Sequence, residues 1–323
     1  MAKEAQRLTN SDYLCMAGGV ALNCVANGKL LKEKLFKEIF IQPAAGDAGG
    51  ALGAAQIAHY MYFEQPRFAS LERDEMQGAY LGPDYSDKEA VIAFKKHKGM
   101  YRKTEDFADL CAEVADLIDS GNVVGWFQGR MEYGPRALGN RSILGDARNP
   151  EMQKKLNLKI KYREGFRPFA PSVLIESSPE YFDLPVASPY MLLIADVKEA
   201  RRKKLPDNYQ ELDLWGKLYY ERSDIQAITH LDFSARIQTV HKETNSRYWQ
   251  LINTFKEKTG YGIVVNTSFN VRGEPIVCTP EDAYKCFMRT EMDYLVVNDF
   301  ILKKTDQPDW ENREKWVETF KLD

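Results

Sequence analysis

An α/β fold in two parts is what this sequence predicts, and three observations predict it. Apolar strands alternate with amphipathic helices, glycine-rich turns join them, and one polar, proline-containing stretch interrupts the pattern. The 323 residues suffice for two domains with cores of their own. With 44% hydrophobic and 28% charged residues, the composition is that of an ordered globular chain. A formal net charge of −3 provides no global field for nucleic acid or an anionic membrane, so neither is an expected partner. The five cysteines are odd in number, lack CxxC spacing and fall mostly in apolar runs, which reads as reduced core thiols. The first residues hold no apolar stretch that could serve as a signal peptide or membrane span, and a cytoplasmic location is expected.

The elements follow in order. Ala2, Ala5 and Leu8 share one helical face, and the polar TNSD break leads to a short strand over Leu14 to Met16. This opening resembles the end of a helix belonging to something longer. A Gly-Gly turn, a helix from about Val20 to Leu35, the strand EIFIQP, the AAGDAGG turn and a helix from about Ala51 to Tyr62 complete a β-α-β-α run, which implies a largely parallel sheet. The stretch FEQPRFASLERDEMQGAYLGPDYSDKE loosens into polar sequence and marks the boundary between the parts. Beyond it, helical spacing of Phe107, Leu110, Cys111, Val114, Leu117 and Ile118 predicts a helix to Asp119, followed by the strand NVVGWFQG. Further strands are expected at PFAPSVLI, YMLLIADV, GIVVNTSF and YLVVND, and helices near Glu151 to Lys159, Tyr248 to Lys258 and Pro280 to Met288. Residues 197 to 227 combine like charges with weak periodicity and read as a loop or mobile lid, functional or merely solvated.

Three segments concentrate charge and small polar groups beyond what a core needs. The first, FQGRMEYGPRALGNRSILGDAR, carries Arg130, Arg136, Arg141 and Arg148 among glycines. Arginine makes planar, bidentate contacts with phosphate or carboxylate oxygens, although a lone arginine-rich loop is more often a salt-bridged surface than a site. In the second, KIKYREGFRPFAPSVLI, an extended chain would line up Lys161, Arg163 and Arg167 on one side as a strip for a polyphosphate. A charged edge strand that resists aggregation is the structural alternative. In the third, an apolar strand runs into Asn266, Thr267, Ser268 and Asn270, then Arg272, and strand ends in open α/β sheets are where ligands bind. Neither GxxxxGK[ST] nor GxGxxG occurs, so these segments predict a phosphate-ester or nucleoside triphosphate pocket on another scaffold.

Taken together, GGVALNCVANGKLL, QPAAGDAGGALGAA, GRMEYGPRALGNRSIL, REGFRPFAPSV and NTSFNVRGEPIV resemble the carboxyl-terminal part of the NodU/CmcH-type O-carbamoyltransferase family, in family order across nearly the whole chain. The resemblance implies a partial ASKHA-like (actin-like ATPase type) subdomain over residues 1–68 and a YrdC-like twisted α/β domain with a carboxyl-terminal extension over 69–323. It further implies that ATP and carbamoyl phosphate give a carbamoyl adenylate, whose carbamoyl group passes to an acceptor hydroxyl. Lys161, Arg163, Arg167, Ser268 and Asn270 are then the expected catalytic residues. Gly18, Gly19, Asn23, Arg130, Arg136, Arg141, Asn266, Thr267 and Arg272 are expected to shape the binding of nucleotide or carbamoyl phosphate. Magnesium is expected with ATP.

In the family the acid of GDAGG looks like one ligand of a divalent metal (iron, zinc or manganese) that two histidines complete. Here that acid is Asp47, and no HxxxH precedes it. A single carboxylate does not hold such a metal. The chain is therefore expected to be a truncation or a split-gene product, impaired in transfer unless the missing amino-terminal half or a second copy completes it. Two other readings stay open: a threonylcarbamoyl-adenylate synthase of tRNA modification, and a non-catalytic nucleotide-binding subunit.

Overall fold

A computed structural model describes residues 1–68 and 74–310. The boundary expected after residue 68 abuts 69–73, and most of the carboxyl-terminal extension, 311–323, likewise lies outside the described residues.

The first part holds helix α1 (Ala2–Thr9), strand β1 (Tyr13–Met16), a 3-10 turn over Gly19–Leu22, α2 (Cys24–Lys32), β2 (Glu38–Ile41) and α3 (Asp47–Ile57), which a π-type turn prolongs over Ala58–Tyr62. The helix expected from Val20 is thus two elements. Asn23 breaks it, accepting a hydrogen bond from Ala26 N at 3.1 Å as the cap of α2. β1 and β2 pair in parallel, with Tyr13 opposite Glu38 and Met16 opposite Ile41, as the β-α-β order requires. α3 buries none of its residues.

In the second part, α4 (Asp87–Lys96) begins at the end of the stretch read as the boundary and runs on through residues for which no element was expected, opened by a reciprocal capping box between Ser86 and Glu89. It is followed by β3 (Arg102–Lys103), α5 (Phe107–Asp119), β4 (Val124–Phe127), β5 (Arg141–Gly145), α6 (Met152–Lys155) and β6 (Ala170–Leu174). α7 (Ser178–Tyr181), β7 (Leu193–Asp196), α8 (Leu214–Tyr219), β8 (Ser234–Val240), α9 (Ser246–Thr259), β9 (Ile263–Ser268), α10 (Pro280–Arg289), β10 (Tyr294–Val297) and β11 (Phe300–Lys303) complete the order. Nine strands form one sheet in the order β3-β11-β10-β4-β5-β9-β6-β8-β7. This sheet is mixed: β4 and β10, and β6 and β8, run parallel, whereas β9 lies antiparallel to both β5 and β6.

Alternation along β9 builds a core on each face. Ile263 and Val265 join Phe94, Tyr284 and Phe287 from α4 and α10, whereas Val264 joins Leu110, Val114, Leu251 and Phe255 from α5 and α9. Residues 197–227 are more ordered than a loose lid. Their short helices are held by Arg222, which is fully buried and donates to the carbonyls of Lys217, Leu218, Tyr220 and Thr229.

The first part is seated on edge strand β7. Asn27 donates to Ala21 O at 2.8 Å and to Leu192 O at 3.0 Å, and Lys32 pairs with Asp196. Gly28 lies so close to Ile194 that a Cβ would stand 2.6 Å from its carbonyl oxygen, so only glycine allows this approach. One apolar cluster, including Ala21, Ile41, Met76, Leu138, Ala170 and Leu192, spans both parts. No helix among the described residues is long and apolar enough to cross a membrane.

Candidate anion-binding site

At the junction of the two parts lies a cavity of about 510 Å³. Its walls are the start of α2 (Cys24, Val25), the turn Pro135 to Ala137, the turn carrying Arg163 and Arg167, residues of β7 and β8, and the end of β9. Six expected site residues meet there: Arg136, Arg163, Arg167, Asn266, Thr267 and Ser268. Arg236, His230 and Cys24 line it too and were not foreseen. Arg236 stands in SARIQTV, a strand whose single arginine between Ala235 and Ile237 was the available signal.

Each side chain has a local cause for its position. Glu132 is buried, and its Oε1 accepts from the amides of Leu138 at 2.7 Å, Asn140 at 2.8 Å and Arg141 at 3.3 Å. These bonds close the 132–141 turn and point Arg136 into the cavity. Asn157, also fully buried, is the hub of the next turn: its amide donates to Gly165 O at 3.1 Å and Arg167 O at 2.9 Å, while its Oδ1 accepts from Arg163 Nε at 2.7 Å. Asn266 donates to Ala137 O, Ser172 Oγ and Gln238 Oε1, which joins β9 to β6, to β8 and to the turn of Arg136.

The electrostatics are one-sided. None of the lining residues is an aspartate or glutamate. Burial lowers Arg163 to about 10, with Arg167 adding repulsion. Burial also lowers Arg236 to about 10, with Arg136 and Arg163 adding theirs. Burial lowers Arg136 as well. Among the described residues Arg236 donates to no protein oxygen, and Arg136 reaches only Leu22 O, at 3.3 Å. Arg163 gives one donor to Asn157 and Arg167 lies 3.9 Å from Glu164, whereas Arg136 and Arg236 have few acceptors, and the four together make the cavity electropositive.

The strip of three cations is not what the chain makes. Tyr162 takes a φ of +48°, and Asn157 curls the backbone around itself, so side chains do not alternate from 161 to 167. Arg163 and Arg167 face the cavity, whereas Lys161 turns behind it. Its ammonium donates to Asn270 O at 2.8 Å and Asn270 Oδ1 at 2.9 Å, to Ser268 Oγ at 3.3 Å and to Ser268 O. Ser268 Oγ in turn donates to Asn270 Oδ1 at 2.6 Å. Burial lowers Lys161 to about 7, against which these four oxygens favour its charged form. Lys161 and Asn270 therefore position Ser268, the member of the trio that lines the cavity.

The remaining expected residues stand elsewhere. Arg130 donates to the carbonyls of Leu81 and Gly82. Arg141 is fully buried, donates to the carbonyls of Gln128, Gly129, Asn140 and Pro83, and sits 3.5 Å above the Phe127 ring. Both arginines turn donors to carbonyl groups of the fold, with the buried Nε of Arg141 left unpaired; neither lines the cavity, and Arg272 is also outside it. Gly18 and Gly19 border open space, with Gly18 at a φ of +91°, and Asn23 serves as a helix cap. Asp47 is exposed as the first residue of α3. No group of three metal-ligating side chains exists among the described residues, so Asp47 alone does not fit a divalent metal.

Comparison with known proteins agrees with the motifs. A family model described as carbamoyltransferase C-terminus matches residues 115–304, and one described as carbamoyltransferase N-terminus matches residues 2–56. An uncharacterized protein of Synechocystis sp. is 57% identical over 99% of this chain and 53% of its own length. Nodulation protein NolO of Bradyrhizobium diazoefficiens is 42% identical over 93% of this chain and 50% of its own length. Nodulation protein NolNO of Sinorhizobium fredii is 42% identical over 94% of this chain and 42% of its own length. The chain thus spans about half the length of the curated relatives it matches. Among solved structures, HypF of T. kodakarensis aligns with a TM-score of 0.38 and 19% identity, over 63% of this chain and 22% of that one, a likeness too slight to carry an argument.

Proposed function

The chain belongs to the carbamoyltransferase family, and from that premise we propose that it acts in O-carbamoyl transfer, with the arginine cavity as its carbamoyl-adenylate-forming site. The observation that carries this reading is the acid-free convergence of Arg136, Arg163, Arg167 and Arg236 beside Ser268. In the proposed step, carbamoyl phosphate and water yield phosphate and carbamate. A carbamate oxygen then attacks the α-phosphorus of ATP, the bond to the β-phosphate oxygen breaks, and pyrophosphate leaves. In the hydrolysis the proton that water loses leaves with the phosphate, and in the attack on ATP the carbamate oxygen is already anionic, so this second attack has no proton to remove. What remains is positioning and fixed positive charge for the departing pyrophosphate, which the arginines provide.

Ser268 Oγ, held by Lys161 and Asn270, is placed to contact a phosphate oxygen. The cavity lining presents guanidinium where a magnesium site needs carboxylate oxygens, so magnesium would be carried by the nucleotide's own oxygens. The second step, attack of an acceptor hydroxyl on the carbamoyl carbon with loss of AMP, is assigned to an assembly with further polypeptide, as the lone Asp47 suggests.

The test is pyrophosphate release from ATP by this chain with carbamoyl phosphate, with threonine plus bicarbonate, and with neither. Release that requires carbamoyl phosphate and disappears in Arg163→Ala is the expected result. Release that requires threonine would replace the reading with threonylcarbamoyl-adenylate synthesis. ATP binding without release under any condition would leave a binding subunit.

A further inference from the structure

The turn of residues 163–167 brings two arginines to the cavity, and aromatic rings cover its middle. Trp215 and Tyr219, one turn apart on α8, lie nearly parallel, with 14° between planes and 6.0 Å between centroids. A Cβ on Gly165 would stand 2.8 Å from the Tyr219 hydroxyl and 3.9 Å from the Trp215 ring. Phe166 follows on the same turn. All three rings remain in contact with solvent, Trp215 at 49%, Phe166 at 46% and Tyr219 at 38% exposure, although aromatic side chains are ordinarily among the better buried. Lys154 Nζ lies 5.6 Å from the Tyr219 ring centroid.

This stack is fixed to the cavity wall. Asp213 caps α8 by accepting from Gly216 N at 2.6 Å. Arg222 binds the carbonyls of Lys217 and Leu218 together with that of Thr229, the residue before His230 of the cavity. The backbone that carries the rings is thus tied to the segment before His230, and the rings stand outside the cavity lining, against the Gly165 turn that carries Arg163 and Arg167. A ligand that satisfies both has a polyphosphate at one end and a flat π surface at the other.

We propose that Trp215 and Tyr219 form the nucleobase platform of this site, extending their stack by one ring while the phosphates reach Arg163 and Arg167. The proposal rests on the reading of the cavity as a nucleoside triphosphate site, and it assigns the base end that the cavity itself leaves unspecified. Stacking of this kind accepts any base face, so it contributes affinity more than selectivity.

The test is calorimetric titration of the 323-residue chain with ATP and with inorganic tripolyphosphate. Trp215→Ala weakens ATP binding by about 10-fold, the scale of one base–aromatic stack, and leaves tripolyphosphate affinity unchanged, while Trp215→Phe restores most of the ATP affinity. Undiminished ATP affinity in Trp215→Ala overturns the platform and leaves the triphosphate site standing. An equal loss for both ligands also overturns it, because Trp215 would then support the cavity and not the base. A wild-type chain that binds neither ligand removes the nucleotide reading and the platform with it.

Discussion

Two regions at and near the cavity bury arginine, and they treat it in opposite ways. Around Arg141 each terminal nitrogen meets carbonyl oxygens, three for Nη1 and one for Nη2, and the ring of Phe127 closes the face of the guanidinium. In the cavity Arg236 finds no protein oxygen and is pressed by Arg136 and Arg163. Burial lowers Arg141 and Arg236 alike, each to about 10, so titration does not separate them. Their partners do: the terminal nitrogens of Arg141 meet four carbonyl groups, although its Nε meets none, whereas Arg236 has Cys24 and other arginines about it across a cavity suited to an anion.

The sharpest way to break that comparison is to remove Arg141. Arg141→Met leaves the carbonyls of Gln128 and Gly129 without the guanidinium donor, while those of Asn140 and Pro83 keep the amides of Gln128 and Met131, and the expected loss is about 3 kcal/mol in urea unfolding. A variant as stable as wild type would show that those bonds are replaced by water and that the guanidinium is not structural. Arg236→Met is the mirror experiment. It removes like-charge repulsion inside the protein, so stability should stay level or rise slightly, while tripolyphosphate affinity falls by about 100-fold. If Arg236→Met unfolds the chain as readily as Arg141→Met, the distinction between the two regions collapses.

The same comparison explains what could be read from the sequence. Strands and helices with clear periodicity, such as the α5 segment from Phe107 to Asp119, emerge from residue spacing because local geometry alone decides them. β8 and α4 escaped because neither advertises itself: β8 interrupts its apolar pattern with Arg236 and with buried polar Gln238 and Thr239, and α4 is set by the Ser86–Glu89 capping box at the end of a polar stretch. In the candidate site, arginine-rich segments were legible as segments, and the assignment of individual arginines was not. Arg141 and Arg136 stand five residues apart on one loop, and only the closing of that loop by Glu132 decides which faces the cavity. Lys161 and Arg163 diverge for a similar reason, since Asn157 bends a backbone that an extended reading keeps straight.

His230 sharpens the comparison from a third side, as the one imidazole among the cavity's cations. Burial lowers it to about 4, Asp232 opposes that shift, and Arg236 and Arg222 reinforce it. The unfolded chain takes up a proton near the ordinary value of 6.5, and the folded chain does not until about pH 4. Between those values the unfolded state holds more protons, so stability falls as pH drops from about 6.5 to about 4 and is unaffected by this group above that window. The group's contribution to acid destabilisation over that window is roughly 3 kcal/mol. His230→Gln should flatten the pH dependence of urea unfolding in that window by this amount, with no change at pH 8. An unchanged acid limb would mean that His230 takes up its proton alike in the folded and the unfolded chain, so that burial beside Arg236 and Arg222 does not hold it neutral.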